Sequence, residues 1–390
     1  MLPVELDPYT PIVARYFRIQ NLTWGDVKSS YHIRYQGELI QEDSAAAYDS
    51  LAEALHPLGM TPLFRIEKGQ QLVYLLKGVI QTNPSKIWIN IVLLFLTFFS
   101  VLYTGAIYSY DQPEITNTWE FLKSGIPFTV SLLGILIAHE TGHYLAARFH
   151  NTAVTLPYLI PFPLGLIVTM VAFIHSKEPS KNKRVLLDIG IAGPLAGLAV
   201  AIPVVLLGIS LSEVTQLPSH APISLEGNSI FYLFAKYIMK GELLPSPIDY
   251  GGISPVIYWI RYFFTGAPLP FNGRDINMHP IAFAGWAGLL VTALNLIPAG
   301  QLDGGHVLFV LFGKRAVRLV PFIMITLAIL GLFWSGWWLW LIIIFWLGRV
   351  YLEPLDQITP LDPVRKAVAL LVLVIFLLLF SPVPFIQIMN

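Results

Sequence analysis

Long apolar runs separated by short polar segments dominate the chain from about residue 87 onward. A helix needs about 20 mostly apolar residues to cross the hydrocarbon core of a bilayer. The polar break Trp334-Ser335-Gly336 divides one of the later runs into a short helical hairpin. The pattern predicts about seven transmembrane helices, at approximately 87–107, 125–149, 188–210, 280–297, 319–333, 337–347 and 367–380.

The first part of the chain has a different pattern, because charged residues are frequent and the hydrophobic periodicity changes over short distances. Alternating residues predict one β-hairpin over 31–40 and a second over 63–75. Between them, Asp43 is a candidate N-cap for a helix that ends near His56. We therefore expect a small soluble α+β domain ahead of the membrane-embedded part.

The composition supports a division into a soluble N-terminal domain, residues 1–85, and a membrane-embedded domain, residues 86–390. Hydrophobic residues make up 55% of the 390 residues, charged residues only 12%, and the mean hydropathy is +0.65. A soluble globular protein is not this apolar, so the expected fold class is an α-helical polytopic membrane protein. Residues 1–12 lack a basic stretch followed by an apolar core, so no cleaved signal peptide is expected.

The distribution of charged residues predicts how these spans are oriented in the membrane. The formal net charge is zero, so no overall field attracts nucleic acid. Positive residues concentrate in cytoplasmic loops, which predicts that the N-terminal domain is cytoplasmic and that 211–279 lies on the opposite side. Within that segment, 230–239 and 257–264 are candidate interfacial helices. The orienting residues are Arg148, Lys177, Lys181, Lys183, Arg184, Lys314, Arg315, Arg318, Arg349, Arg365 and Lys366.

The second predicted span contains the pattern His139-Glu140-Thr141-Gly142-His143. Residues i and i+4 lie on one face of a helix, so both imidazoles can reach the same metal ion. Glu140 lies beside this pair, where it can take a proton from a metal-bound water. A helical histidine can instead be purely structural, but three ionisable groups within an apolar segment are costly in hydrocarbon and indicate function.

A catalytic zinc site usually takes three protein ligands and keeps one position open. The chain has no cysteine, so every ligand must be a histidine or a carboxylate. Asp303 is a candidate because it follows the fourth span, where Pro298 and paired glycines would unwind the helix and turn the carboxylate inward. The alternative is that Asp303 caps the helix that begins near His306. Two histidines and an aspartate fit zinc best.

Residues 152–176 interrupt the helical pattern. The stretch is apolar, yet Pro157, Pro161 and Pro163 exclude a regular helix. Non-helical backbone persists at membrane depth only where it is buried in protein or lines a cavity. We expect a re-entrant β-hairpin packed beside the metal helix, with an edge that holds a substrate as an added strand. A plain surface loop is the alternative.

Three motifs taken together resemble those of the site-2 protease family of intramembrane zinc metalloproteases, peptidase M50. They are His139-Glu140-x-x-His143 in one span, the Ala-Gly-Pro-Leu-Ala-Gly of 192–197 in the next, and Asn295 to Gly304 later. Small residues at 192–197 also allow close helix approach. Residues 279–288 are most similar to the branch of cyanobacteria, other bacteria and plastids, which has a soluble N-terminal domain and no PDZ domain.

This resemblance implies His139, His143 and Asp303 as zinc ligands and Glu140 as the general base for a zinc-bound water nucleophile. It implies Asn295 as a polar contact to the substrate near the scissile peptide. The implied activity is hydrolysis of peptide bonds within transmembrane segments of membrane proteins, known as regulated intramembrane proteolysis. The implied location is a bacterial plasma or thylakoid-type membrane, with the N-terminal domain and the active-site end cytoplasmic.

Other functions remain as alternatives at this stage. A metal transporter would use the same three residues as a permeation site, but it would need internal repeats or paired broken helices, and the sequence shows neither. A prenyl-protein type of membrane protease would complete the site with a later glutamate rather than an Asp-Gly. A catalytically silent scaffold would have lost a ligand or the base, and both are present here.

Overall fold

A computed structural model describes residues 7–26, 29–79, 86–110, 112, 114–160, 171–173, 176–218 and 223–388. An N-terminal α/β region precedes a mainly helical part that contains the predicted apolar runs. The N-terminal elements are α1 (Thr10–Val13), β1 (Phe17–Trp24), β2 (Ile33–Leu39), α2 (Ser44–Leu55), a 3-10 turn (His56–Leu58), β3 (Met60–Glu67) and β4 (Gln70–Lys77).

The N-terminal strands form an antiparallel sheet in the order β1-β2-β4-β3, with α2 packed on it. Asp43 caps α2 as predicted, because its side chain accepts hydrogen bonds from the N–H groups of Ala45 and Ala46. The predicted second hairpin is also confirmed: β3 and β4 pair around Lys68-Gly69, where both residues have positive φ. The first predicted hairpin is wrong. Residues 33–39 form one continuous strand that pairs with β1 on one side and β4 on the other.

Each predicted apolar run overlaps one of the remaining helices, although the runs at 280–297 and 319–333 extend past the helix ends. These helices are α3 (Ile87–Ser109), α4 (Thr118–Ser124), α5 (Ile126–Phe149), α6 (Lys183–Leu211), α7 (Ile230–Lys240), α8 (Pro255–Thr265), α9 (Pro280–Asn295), α10 (Asp303–Phe312), a 3-10 segment (Gly313–Leu319), α11 (Val320–Leu330), α12 (Gly336–Leu347) and α13 (Pro363–Leu379). Short strand pairs accompany them: β5 (Tyr158–Ile160) with β6 (Val171–Phe173), β7 (Glu213–Gln216) with β9 (Arg274–Asn277), and β8 (Ile223–Glu226) with β10 (Phe385–Ile388).

Helix length bears on how many of these runs cross a membrane. Within the described ranges, α3 and α6 are long and apolar enough to do so, and α4 with α5, bent by 40°, makes a third candidate. Helices α9 and α12 are apolar but shorter. The count of about seven spans stays a prediction.

Helices α5, α6 and α9 form the centre of the helical part and share one buried apolar cluster. Glycines bring their backbones together. A β-carbon at Gly285 of α9 would lie 2.6 Å from the Cα atom of Val205 in α6. A β-carbon at Gly208 of α6 would collide with the backbone of Ala282 in α9. These two glycines therefore allow direct backbone contact between α6 and α9.

The segment 152–176 contains the predicted strand pair, β5 and β6, in antiparallel register. Helix α3 supplies hydrogen bonds to the backbone around β5. The Asn90 amide donates to the carbonyl oxygens of Leu156 (2.9 Å) and Pro157 (2.8 Å), and the Thr97 hydroxyl donates to that of Leu159 (2.8 Å). Residues 161–170 and 174–175 lie outside the described residues. The location of this hairpin at membrane depth stays a prediction.

The segment between α12 and α13 joins the N-terminal region to the helical part. Leu355 and Ile358 of this segment pack against the N-terminal apolar core. The Phe64 N–H of β3 donates to the Leu355 oxygen at 3.0 Å, and the Asp356 N–H donates to the Lys181 oxygen at 2.7 Å. The segment thus ties β3 to the start of α6. The division of the chain at 85/86 remains a prediction. The N-terminal apolar core is completed by Leu355 and Ile358, which lie far along the chain.

Candidate metal centre

The two histidines of α5 lie on one helix face, as their spacing predicts. Their Nε2 atoms are 3.2 Å apart, and His139 is only 3% exposed. Helix α5 begins with proline at its first turn and continues without interruption to Phe149, so the i and i+4 side chains point to the same place.

Asp303 reaches this pair from α10. Its Oδ2 atom lies 3.3 Å from Nε2 of His139 and 3.4 Å from Nε2 of His143. Asp303 is the first residue of α10, and Leu302 occupies the N-cap position without a side-chain cap. The alternative role of Asp303 as a helix cap is therefore wrong, because its carboxylate faces the histidines.

The turn between α9 and α10 places Asp303 beside the two histidines of α5. Helix α9 ends at Asn295, and Gly300 has φ of +55°, a left-handed conformation that favours glycine. A β-carbon at Gly304 would collide with the backbone oxygen of Leu296. The proline and glycines of this turn thus unwind the chain, as the sequence predicts, and bring the carboxylate back toward α5.

The three donor atoms fit a tetrahedral metal ion. Ligand atoms about 2.0–2.1 Å from a tetrahedral zinc ion lie about 3.3 Å apart. The separations between the donor atoms of His139, His143 and Asp303 are 3.2, 3.3 and 3.4 Å. Among the described residues these three form the group of side chains that is able to hold a metal ion.

Glu140 is buried beside the three donors, with 3% of its surface exposed. It is close enough to interact electrostatically with all three. Its Oε2 atom has no hydrogen-bond partner among the described residues. An unpaired buried carboxylate oxygen is unfavourable, so this atom is suited to accept a hydrogen bond from a substrate water.

Helix α6 orients His143. The Nδ1 atom of His143 donates to the carbonyl oxygen of Ile189 at 2.7 Å, which leaves Nε2 free to face the other donors. The glycines of the 192–197 motif allow this approach. A β-carbon at Gly193 would collide with Nε2 of His143, and one at Gly197 would lie 3.2 Å from the Cβ atom of His139.

Gly193→Ala is expected to weaken zinc binding by more than tenfold, because the added methyl group displaces the His143 ring. The measurement is the zinc dissociation constant of the purified protein by chelator competition. Gly134→Ala is the matched control, since a β-carbon at that glycine of α5 meets nothing within 4 Å. Equal zinc affinity in the two variants would contradict this account of the motif.

Asn295, the last residue of α9, lies beside the histidine pair. Its Nδ2 atom is 3.5 Å from Nε2 of His139. The structure therefore brings Asn295 to the same place as His139, Glu140, His143 and Asp303, and a contact to substrate stays a prediction.

Three other histidines of the described residues lie outside this group. His279 caps α9, His150 contacts Asp188, and His306 is half-buried, with a buried Nδ1 atom that has no hydrogen-bond partner among the described residues. Sequence reasoning did not find the Ile189 carbonyl contact, because a backbone oxygen leaves no signal in the sequence.

Comparisons with known proteins agree with this geometry. Residues 127–332, more than half of the chain, match the family model described as peptidase family M50. The probable zinc metalloprotease EGY1, chloroplastic, of Arabidopsis thaliana is 29% identical over 288 residues, which cover 70% of this chain and 46% of the relative. The protein of the same description from Oryza sativa subsp. japonica is 30% identical over 278 residues, which cover 66% of this chain and 43% of the relative.

A further relative is the probable zinc metalloprotease EGY2, chloroplastic, of Arabidopsis thaliana. It is 28% identical over 278 residues, which cover 70% of this chain and 45% of the relative. The chain spans less than half the length of these curated relatives. No solved structure matches the chain.

Proposed function

Because the chain belongs to peptidase family M50, we propose that it is an intramembrane zinc metalloendopeptidase that cleaves transmembrane segments of other proteins. The observation that carries this proposal is the convergence of His139 and His143 from α5 with Asp303 from α10, at separations of 3.2 to 3.4 Å. Three relatives are described as probable zinc metalloproteases, which supports zinc as the metal.

His139, His143 and Asp303 would hold the metal through two imidazole nitrogens and one carboxylate oxygen. When bound, a zinc ion at such a site polarises the peptide carbonyl and lowers the pKa of water toward neutrality. Three protein ligands are the usual number in catalytic zinc sites, where the fourth position stays open. The donor set is therefore that of a catalytic rather than a structural site.

Glu140 is the proposed general base. Its buried and unpartnered Oε2 atom would accept a proton from the attacking water and then pass it to the leaving amine of the cleaved peptide. The Asn295 amide, beside His139, would donate a hydrogen bond to the substrate carbonyl.

We propose that the substrate segment is presented as an extended strand to the hairpin at 152–176. A transmembrane helix hides its carbonyl groups in its own hydrogen bonds, so it must unwind before hydrolysis. Hydrogen bonds from α3 hold the backbone at β5, and β6 contacts the histidine helix α5. Among the described strands β6 pairs with β5 alone, so its other edge is the proposed place for an added strand.

The direct test is cleavage of a purified transmembrane substrate in proteoliposomes by the full chain, compared with Glu140→Gln. Zinc-dependent cleavage within the apolar segment is the expected result. A protein that holds zinc but cleaves no membrane substrate would contradict the proposed activity. Uptake of metal into liposomes without dependence on Glu140 would support a transporter instead.

We propose a multi-pass membrane location with the N-terminal region and the metal-centre end of α5 on the cytoplasmic side. The proposal predicts that Asp49→Cys is labelled only from the cytoplasmic side and Ile248→Cys only from the opposite side. Both residues are exposed, and the chain has no native cysteine to interfere. Labelling of both variants from the same side of intact vesicles would contradict the orientation.

A further inference from the structure

A single carboxylate ties together three helices next to the metal centre. Asp188 of α6 accepts two hydrogen bonds from the Arg365 guanidinium of α13, from Nε to Oδ1 at 2.8 Å and from Nη2 to Oδ2 at 2.6 Å. It accepts a third from Nε2 of His150, the C-cap residue of α5, at 2.9 Å. A two-point arginine contact fixes the orientation of both groups as well as their distance.

This carboxylate is adjacent in sequence to the backbone group that orients a donor of the metal centre. Asp188 precedes Ile189, whose carbonyl oxygen accepts the 2.7 Å hydrogen bond from Nδ1 of His143. Helix α6 is weakened at this point, because Pro194 lacks an N–H and cannot donate to the carbonyl of Gly190. Gly190, next to Ile189, therefore lacks one hydrogen bond of the helix, and the contacts of Asp188 with α5 and α13 hold this part of α6.

The arginine of this contact is itself held in place. Asp362 caps α13 through the N–H of Arg365 and also pairs with Nη1 of Arg365 at 2.7 Å. Asp362 follows the segment that packs on the N-terminal region, in which Thr359 contacts Ser44 of α2 at 2.8 Å. A chain of direct contacts thus runs from the N-terminal region through Arg365 to Asp188.

We propose that Asp188 is a positioning residue of the metal centre. By holding α5, α6 and α13 together, it keeps the Ile189 carbonyl against the His143 ring and so fixes the direction of Nε2. Asp188 touches neither the donor atoms nor substrate in this role. The inference rests on the proposed zinc centre, since it concerns the orientation of one of its ligands.

A positioning role predicts a specific pattern of effects. Loss of an outer contact to a metal-ligating histidine typically lowers metal affinity by about 10- to 100-fold. Asp188→Asn keeps the size of the side chain but loses its charge, so zinc affinity is expected to fall by about tenfold or more. The kcat for a transmembrane substrate should fall while KM changes little, because the substrate site is not altered.

The experiment measures the zinc dissociation constant, kcat, KM and metal-free thermal midpoint of the full-length protein in nanodiscs. The variants are Asp188→Asn, Arg365→Lys and His150→Gln. Arg365→Lys keeps the positive charge without the two-point contact, and an intermediate loss of affinity is expected. Asp49→Asn is the control, because it removes an exposed carboxylate of α2 that pairs with Lys181 at 3.2 Å.

The inference is supported if zinc affinity falls in Asp188→Asn and Arg365→Lys while the control matches the wild type. It is overturned if both variants are folded and bind zinc within twofold of the control, or if only their metal-free thermal midpoints fall. If Asp188→Asn does not fold, the zinc affinities of the milder variants Arg365→Lys and His150→Gln are compared with the control in the same way. Wild-type protein that binds no zinc would overturn the proposed function, and this inference with it.

Discussion

Replacing Glu140 with glutamine is expected to abolish peptide hydrolysis while zinc remains bound. Glutamine has nearly the same size as glutamate but cannot accept a proton from water. General-base catalysis contributes about 10²- to 10⁴-fold to rates, so a loss of at least about 10³-fold in kcat is expected. The measurement is cleavage of a transmembrane substrate in proteoliposomes, together with the zinc content of the same preparation.

The control for this variant is Glu120→Gln, which removes the exposed carboxylate of α4 outside the metal centre. It should leave both zinc content and cleavage unchanged. Full cleavage by Glu140→Gln would show that the proposed base is wrong. Loss of zinc from the same variant would assign Glu140 to the ligand set instead.

Asp303→Ala should release most of the zinc. The substitution removes the donor that joins α10 to the two histidines and leaves an incomplete pair, His139 and His143. Since loss of an outer contact alone costs about 10- to 100-fold in affinity, loss of a ligand should cost at least about 100-fold. Zinc content and chelator competition on purified protein measure the effect, and cleavage should be lost in parallel.

Asp49→Ala serves as the matched control for Asp303→Ala, because it removes an exposed aspartate that belongs to α2 of the N-terminal region. If zinc content were the same in the two variants, Asp303 would have no part in binding and a different third ligand would be required. Absence of zinc from the wild-type protein as well would favour the silent scaffold considered from the sequence.

Local signals in the sequence predict the histidine pair and the turn that carries Asp303, whereas the role of Asn295 rests on the family resemblance. The His139–His143 pair needs only helical periodicity, and the Asp303 turn needs only proline and glycine, whose backbone preferences do not depend on distant contacts. The capped helix α2 and the β3–β4 hairpin follow for the same reason. Each of these features depends on residues that are close together in the sequence, so a local sequence pattern predicts it.

Strand β1 was not predicted, because it carries a register shift between Ile19 and Asn21 that breaks the alternation of apolar and polar residues. Without β1 as a partner, the alternation over 31–40 predicts a hairpin instead of one strand. The sheet order was decided by long-range pairing, and the sequence pattern alone did not contain that information.

The sequence is enough to predict the apolar runs, the histidine pair with Glu140 beside it, and the unwound turn that carries Asp303, since these rest on periodicity and on local backbone chemistry. Long-range packing brings the donor atoms of α5 and α10 within 3.4 Å of one another, and no local pattern predicts this. The contacts of Asp188 with α5 and α13 likewise depend on packing. Such contacts join residues far apart in the chain, and they depend on how closely glycines allow the helices to pack.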